Sequence, residues 1–406
     1  MKEIAIYSIV SPIHNKEDVE RTTNSFLKGL GIDYTLYNDD YSTYASFGNR
    51  LNLIYIGTGG TEEIFLNNLK YFEKKGKIYL LASQFSNSLA ASMEILSYLK
   101  MNGLEGEIIH GSSEYVRKRI EKLATPLRLG VVGKPSNWLI SSGADYPTVL
   151  NKFGIDLVDI PMEELISLVK GDVLSEEQIE NIKCNFANIP FTANCRTKEQ
   201  VESSKDEAVK IYLALKKIIE DNSLNGVTVR CFDLLSSVGN TGCLALSLLN
   251  SENYVAGCEG DIPAALSMMI SKKLLGVSGF QANPSKIDIE KGEILFAHCT
   301  IPISLVESYQ FDSHFESGIG VAIRGFLKKG EVTILKVAAD LSRYFVEEGT
   351  ILDCGESENL CRTQLLIRVS NRERANYFLN NPIGNHHIII PGNHKSAIEK
   401  YLNTLK

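Results

Sequence analysis

Short apolar runs alternate with longer stretches of helical spacing through the first third of the chain. "KEIAIYSIV", "LNLIYIGT", "KIYLLAS" and "GEIIHG" are rich in Ile, Leu, Val and Tyr, and the intervening segments near 16–30, 61–74 and 88–101 place apolar residues on one helical face. Strand-sized runs followed by helices of ten or more residues indicate βαβ units and a parallel sheet. After "KLATP" the pattern restarts with "LRLGVVG" and continues through "IDLVDIP", a polar helical region over 175–221, "GVTVRCFDLL" and "YVAGCEGDIPAALSMMI". Beyond Lys291 the style changes to strands joined by Gly or Lys-Gly turns: "EILFAHCTIPI", "GVAIRGFLKKGEVTILKVAA", "RYFVEEGTILD", "QLLIRVS" and "HHIIIPG", with one helix at the end. The pattern predicts an α/β chain of two doubly wound parallel-sheet domains, over 1–125 and 126–290. A mostly antiparallel, barrel-like domain with a C-terminal helix follows over 291–406.

Length supports this division, because 406 residues exceed what one core usually serves. With 44% hydrophobic and 22% charged residues the composition is that of a globular chain, which argues against long disorder. A spread-out net charge of −7 leaves no basic stripe, so nucleic acid is a poor partner. The first apolar run is short and broken by Ser8, a strand pattern rather than a signal peptide. No run approaches the ~18 apolar residues of a membrane span, and a cytoplasmic location is expected.

Eight cysteines are scattered from Cys184 to Cys361 with no C-x-x-C pair, so most are expected to be reduced and buried. A zinc site drawing on Cys231, Cys258 and His298 is an alternative that their wide spacing argues against. Ligands of open α/β sheets sit at the carboxyl ends of strands. In the first domain those ends carry "GTGGT", with Thr58, Gly59, Gly60 and Thr61, and "SQFSNS", with Gln84, Asn87 and Ser88. Both read either as substrate-binding loops or as tight strand-to-helix turns with good caps. Neither is a nucleotide-binding motif.

In the second domain Asp233 follows one strand, and Glu259 and Asp261 follow another. Asp261 is expected to cap the helix that begins near Pro263. His298, His314, the pair His386 and His387, and His394 lie in the late β region. Carboxylates combined with imidazoles suit Mn²⁺ or a similar divalent cation with positions left open for substrate oxygens.

"CFDLLSSVGNTGCLALSLLN…VAGCEGDIPAALSMMI", followed by "AHCTIP" and "GNHHIIIPGNH", resembles the L-fucose isomerase and L-arabinose isomerase superfamily in its shorter, fucose isomerase-like branch. The closest similarity covers about 227–394. The resemblance implies two α/β domains and a β-barrel, homotrimers or homohexamers with sites shared between subunits, and Mn²⁺-dependent aldose–ketose isomerisation of a sugar through an enediol. It places the metal-binding and catalytic carboxylates on Asp233 and, 26 residues later, Glu259. His298 falls on the arabinose branch's additional ligand. An Asn-His reading of the late ligand selects His386, and a His-His reading selects His387. Asp233 is one methylene shorter than the glutamate of the larger isomerases, and the chain is shorter than theirs. A non-catalytic sugar-binding or regulatory protein, and a metal-dependent sugar epimerase or lyase, are the competing functions on this architecture.

Overall fold

The structure is a computed structural model describing residues 3–38, 40–44, 50–73, 77–171, 174–193, 195 and 198–405. Lys2, Lys74, Asn194, Arg196, Thr197 and Lys406, which fall in elements expected from the sequence, lie outside the described residues. The chain forms two compact units, one built mainly of 1–126 and the other of 127–149 and 155–400. Among the described residues no helix is long and apolar enough to cross a membrane.

The first unit holds five strands, β1 (Glu3–Ile9), β2 (Thr35–Asn38), β3 (Arg50–Ile56), β4 (Ile78–Ala82) and β5 (Gly106–Ile109). They pair in parallel in the order β2-β1-β3-β4-β5. This is the doubly wound arrangement predicted from the alternating pattern. Alternation of side chains across the sheet creates two cores, one around Tyr7, Ile54, Phe65 and Phe72, the other around Ile6, Leu53, Tyr55 and Ile120. Helix Lys16–Gly29 starts where Asn15 accepts from the Asp18 N–H, and helix Ser113–Ala124 where Ser112 accepts from that of Tyr115. The four-residue β2 escapes sequence reading because, as an edge strand, it shows no buried run.

The second unit begins with a parallel sheet of β6 (Leu127–Val132), β7 (Ile155–Ile160), β8 (Gly226–Val229) and β9 (Val255–Cys258), ordered β7-β6-β8-β9. Helix Lys205–Asp221 buries Ile211, Leu215 and Ile218 against it. The chain then passes through helix Ile262–Leu275 into β10 (Phe280–Asp288), β11 (Glu293–His298), β12 (Ser308–Asp312), β13 (Ala322–Phe326), β14 (Glu331–Val337), β15 (Tyr344–Cys354), β16 (Thr363–Val369) and β17 (His387–Pro391). Six of these close an antiparallel barrel, β10-β11-β16-β15-β14-β17, while β12 and β13 pair separately. Closure removes the open edges that a sheet of this size would expose. The barrel is filled by Phe280, Phe296, Ile334, Phe345, Leu365 and Ile367.

The barrel starts at Phe280, ahead of the change of style read at Lys291. Only the first three residues of β10 are buried, and its register with β11 shifts between Pro284 and Lys286. That strand therefore lacks the alternation that makes its neighbours legible.

The second sheet tolerates little change where β8 meets β9. A Cβ on Gly226 would lie 2.3 Å from the Val255 carbonyl oxygen and 2.8 Å from the Val255 Cβ. Gly226→Ala is expected to destabilise the protein by about 1–3 kcal/mol, as overpacking of a rigid core does. Urea unfolding should show a lower midpoint with an unchanged slope; an unaltered midpoint would mean that the strands separate freely here.

Candidate metal centre

Three loops at the carboxyl edge of the second sheet and two places on the barrel build the centre. The loop after β6 carries Trp138, the turn after β8 carries Arg230 and Asp233, and the turn after β9 carries Glu259. From the barrel come His298, at the end of β11, and His386, immediately before β17.

Glu259 sits on a cramped turn, with φ +62° for itself and +70° for Gly260. A left-handed conformation is costly for a residue with a side chain and persists only where the surroundings impose it. Here the Ser136 N–H donates to the Glu259 carbonyl at 2.9 Å, and the Gly260 N–H donates to that of Val229 at 2.9 Å. Gly260 itself admits no side chain, since a Cβ would lie 2.4 Å from the Lys134 carbonyl oxygen. The turn thus aims a buried carboxylate at the barrel.

Glu259, His298 and His386 each present a donor atom within 4.8 Å of the others. Glu259 Oε1 lies 3.4 Å from His386 Nε2 and 4.0 Å from His298 Nε2, while Oε2 accepts from Trp138 Nε1 at 2.7 Å. His386 Nδ1 faces Asp261 Oδ2 at 2.9 Å, and His298 Nδ1 faces Thr300 Oγ1 at 3.0 Å. Each imidazole therefore has Nδ1 engaged and turns Nε2 toward the carboxylate. His386 Nε2 is buried and makes no hydrogen bond. It faces Glu259 Oε1 in a charge pairing that depends on His386 carrying a proton, and a cation between the two would satisfy the nitrogen once that proton has left.

Electrostatics divide the histidines. Burial, reinforced by the neighbouring His386, lowers His298 to about 4, so its imidazole is neutral at neutral pH. For His386 burial also acts downward, but the Asp261 and Glu259 carboxylates prevail and raise it to about 9. Burial would raise Glu259, yet His386, His298 and the Trp138 N–H outweigh it and hold the carboxylate at about 2. One hard carboxylate and two imidazoles form a donor set suited to a first-row divalent cation.

Asp261 supports the arrangement. It accepts from the Ala264 N–H at 2.9 Å as the cap of helix Ile262–Leu275 and lies 3.3 Å from Lys336 Nζ. Although burial opposes its ionisation, Lys336 and His386 hold its carboxyl well below the usual range.

Other residues singled out in the sequence stand outside the three-donor group. Asp233, whose side chain is 43% exposed, is outside the three-donor group and pairs with Arg230 Nε at 3.0 Å. His387 points away, with Nε2 3.0 Å from the Tyr377 hydroxyl and Nδ1 2.9 Å from the Asn385 carbonyl. His314 Nδ1 is 3.0 Å from Ser317 Oγ, and His394 Nε2 is 2.9 Å from the Pro391 carbonyl.

In the first unit Thr58 Oγ1 accepts from the Ser11 N–H, Thr61 Oγ1 donates to the Thr58 carbonyl, and the Gly59 N–H donates to that of Ser86. Gly60 has φ +71°, and Ser88 Oγ accepts from the Ser83 N–H and donates to the Ile56 carbonyl. Gln84 and Asn87 are exposed.

A narrow pocket, partly open to solvent, reaches Glu259 and His298 and is lined also by Cys231, Phe232, Asn283 and His314. Trp138 and Asn283 are the residues that sequence reading missed. Trp138 packs edge-on against Phe232 with ring centroids 4.9 Å apart, and Asn283 Oδ1 is a buried acceptor without a hydrogen-bond partner. Each lies far along the chain from the acidic motif, and no local pattern marks either.

Residues 144–276 match the family model described as the L-arabinose isomerase central domain. With the two parallel sheets and the barrel, this match supports the resemblance to the L-fucose and L-arabinose isomerase superfamily. A sulfoquinovose isomerase of Alkalicoccus urumqiensis is 26% identical over 246 residues, covering 59% of this chain and 54% of that protein. A sulfoquinovose isomerase of Clostridium sp. (strain MSTE9) is 25% identical over 274 residues, covering 65% and 60%. The matched regions thus span little more than half of these relatives' length.

Trp138 is the chain's single tryptophan, so intrinsic tryptophan fluorescence reports on Glu259 directly. Titration with Mn²⁺ should change emission intensity saturably, and Glu259→Gln should abolish the response. A saturable change that persists in Glu259→Gln would place the cation elsewhere.

Proposed function

We propose that the protein is a divalent-metal-dependent ketol isomerase acting on a sugar or sugar derivative, with Mn²⁺ as the metal. The observation that carries this reading is the buried group of Glu259, His298 and His386, two of which, Glu259 and His298, line the pocket. These three residues would hold the cation. A bound divalent cation supplies Lewis-acid polarisation of a carbonyl and acidifies the adjoining hydroxyl.

The remaining roles belong to the chain's own side chains. Glu259 and Asp233 are the proposed carboxylates for moving a proton between C2 and C1. Trp138 fixes one Glu259 oxygen, which leaves the other facing the imidazoles. Asp233 is engaged by Arg230, so its service as a base requires that ion pair to open. The unpaired Asn283 oxygen is placed to accept from a sugar hydroxyl. The loops with Thr58 to Thr61 and Gln84 to Ser88 are proposed to meet the distal part of the sugar in a neighbouring subunit of a cytoplasmic homotrimer or homohexamer. With the Thr58, Thr61 and Ser88 hydroxyls already engaged, Gln84, Asn87 and backbone N–H groups would make those contacts. The relatives' names make sulfonated sugars the first substrates to try.

The position of Asp233 favours one second reading, a sugar-binding or regulatory protein that retains the metal centre without proton transfer. Solvent-deuterium exchange at C1 and C2 of aldoses and ketoses distinguishes the two. An isomerase should exchange, and replacing both acids (Asp233→Asn with Glu259→Gln) should reduce the rate by at least about a hundredfold, the lower end of what a positioned acid–base group contributes. Binding of sugar without exchange supports the second reading.

Cation binding should also depend on pH in a defined direction. Between about 4 and 9, Glu259 is ionised and His298 neutral, while His386 carries a proton that must leave Nε2. Apparent Mn²⁺ affinity is therefore expected to rise by up to about tenfold per pH unit toward 9, with release of one proton, as measured calorimetrically in buffers of different ionisation enthalpy. An affinity flat from pH 6 to 8 would contradict the assignment of His386 as ligand.

A further inference from the structure

Five thiols line the pocket beside the candidate metal centre: Cys231, Cys243, Cys258, Cys299 and Cys361. Neither the carboxylate–imidazole group nor the proposed proton transfer uses them. We propose that Cys231 and Cys258 form a reversible disulfide when a peroxide enters this pocket, and that the new bond displaces Glu259; the second part rests on the metal reading above.

Geometry singles out this pair. Their sulfurs are 3.0 Å apart, inside the ~3.5–4.0 Å at which smaller non-bonded carbon atoms rest, so the two side chains point directly at each other. A disulfide needs about 2.05 Å, an approach of about 1 Å. The backbone is already arranged for it. Cys258 ends β9 opposite Val229 of β8, and the Cys231 N–H donates to the Val229 carbonyl at 2.8 Å, which folds the chain back toward Cys258. Both thiols are almost fully buried, yet both line the pocket, so a small oxidant reaches them where a large one does not.

The chemistry balances with hydrogen peroxide. One sulfur attacks a peroxide oxygen, the O–O bond breaks, and a sulfenic acid and one water form. The second sulfur then attacks the sulfenic sulfur and displaces a second water. Two thiols and one peroxide yield one disulfide and two waters; both sulfurs are oxidised, the peroxide is reduced, and the thiol protons leave in the water. A thiol reductant reverses the bond by exchange.

The link to Glu259 is covalent, because Cys258 is its neighbour on the turn with two successive positive φ values. Gln281 clamps Cys258 from the other side, accepting from its N–H at 2.9 Å and donating to its carbonyl at 3.3 Å. Because the adjoining turn has no slack, a shift of Cys258 toward Cys231 is passed on to the Glu259 carboxylate.

The test treats the full chain as purified with one equivalent of hydrogen peroxide, blocks free thiols under denaturing conditions, and maps unreduced peptides by mass spectrometry. The expected product is a Cys231–Cys258 cross-linked peptide, two hydrogens lighter than its parts, which disappears on reduction and is absent from Cys231→Ser. Calorimetric Mn²⁺ affinity should fall by about tenfold or more on oxidation, the scale of a disturbed supporting shell, and return with reductant. Recovery of both peptides in blocked form, their conversion to sulfinic acid, or a cross-link among Cys243, Cys299 and Cys361 instead would overturn the proposal. A Cys231–Cys258 bond that leaves Mn²⁺ affinity unchanged would overturn the coupling to Glu259. Reduced protein that binds no Mn²⁺ would refute the metal reading alone, since the cross-link is read independently.

Discussion

The second unit depends on one buried carboxylate. Asp261 is fully enclosed and meets three cationic or donor groups from separate parts of the chain: the Ala264 N–H, the Lys336 ammonium and His386 Nδ1. Burying an ionised carboxylate and an ammonium is expensive, and it is tolerated only when geometry and further hydrogen bonds repay the lost hydration. Removing any partner would leave a charge stranded in the interior. The barrel strand carrying Lys336, the residue before β17 and the start of helix Ile262–Leu275 are therefore held in one arrangement, and His386 is oriented as a consequence.

A second constraint is steric. Glu259 and Gly260 occupy left-handed backbone conformations because the Ser136 and Gly260 N–H groups and the Lys134 carbonyl leave no other course for the turn. Strain of this kind costs of order 1–3 kcal/mol and survives where packing over-determines it. Its product is a carboxylate delivered from the sheet edge toward two imidazoles on the barrel. The orientation is pre-set, so little reorganisation is needed to receive a cation.

The three neighbouring histidines show how surroundings assign roles to identical side chains. His386, between two carboxylates, is held protonated, whereas His298 is held neutral by burial beside it. His387 is adjacent in sequence to His386 yet lies in an aromatic setting of Phe296, Phe345, Tyr377 and Phe378, where burial lowers it to about 3. Alternation along the strand sends successive side chains to opposite faces, and that separates the pair.

Much of the architecture was legible in one dimension, because periodicity of two or 3.6 reports directly which face of an element is buried. The parallel sheets, the change to antiparallel strands and the helix start at Asp261 could be read this way. Strands β2 and β10 could not, since each lacks a sustained buried face. Residue chemistry marked Glu259, His298 and the 386–387 pair as candidates, but spacing could not choose between the two histidines or reveal that Asp233 is tied to Arg230. Trp138, Lys336 and Asn283 carried no signal at all, being 121, 75 and 24 positions from Glu259 or Asp261 in the chain. Local sequence determined the elements and the donor types. Only the tertiary structure decided which donors converge, because convergence depends on closing the barrel against the sheet edge and on neutralising Asp261 inside it.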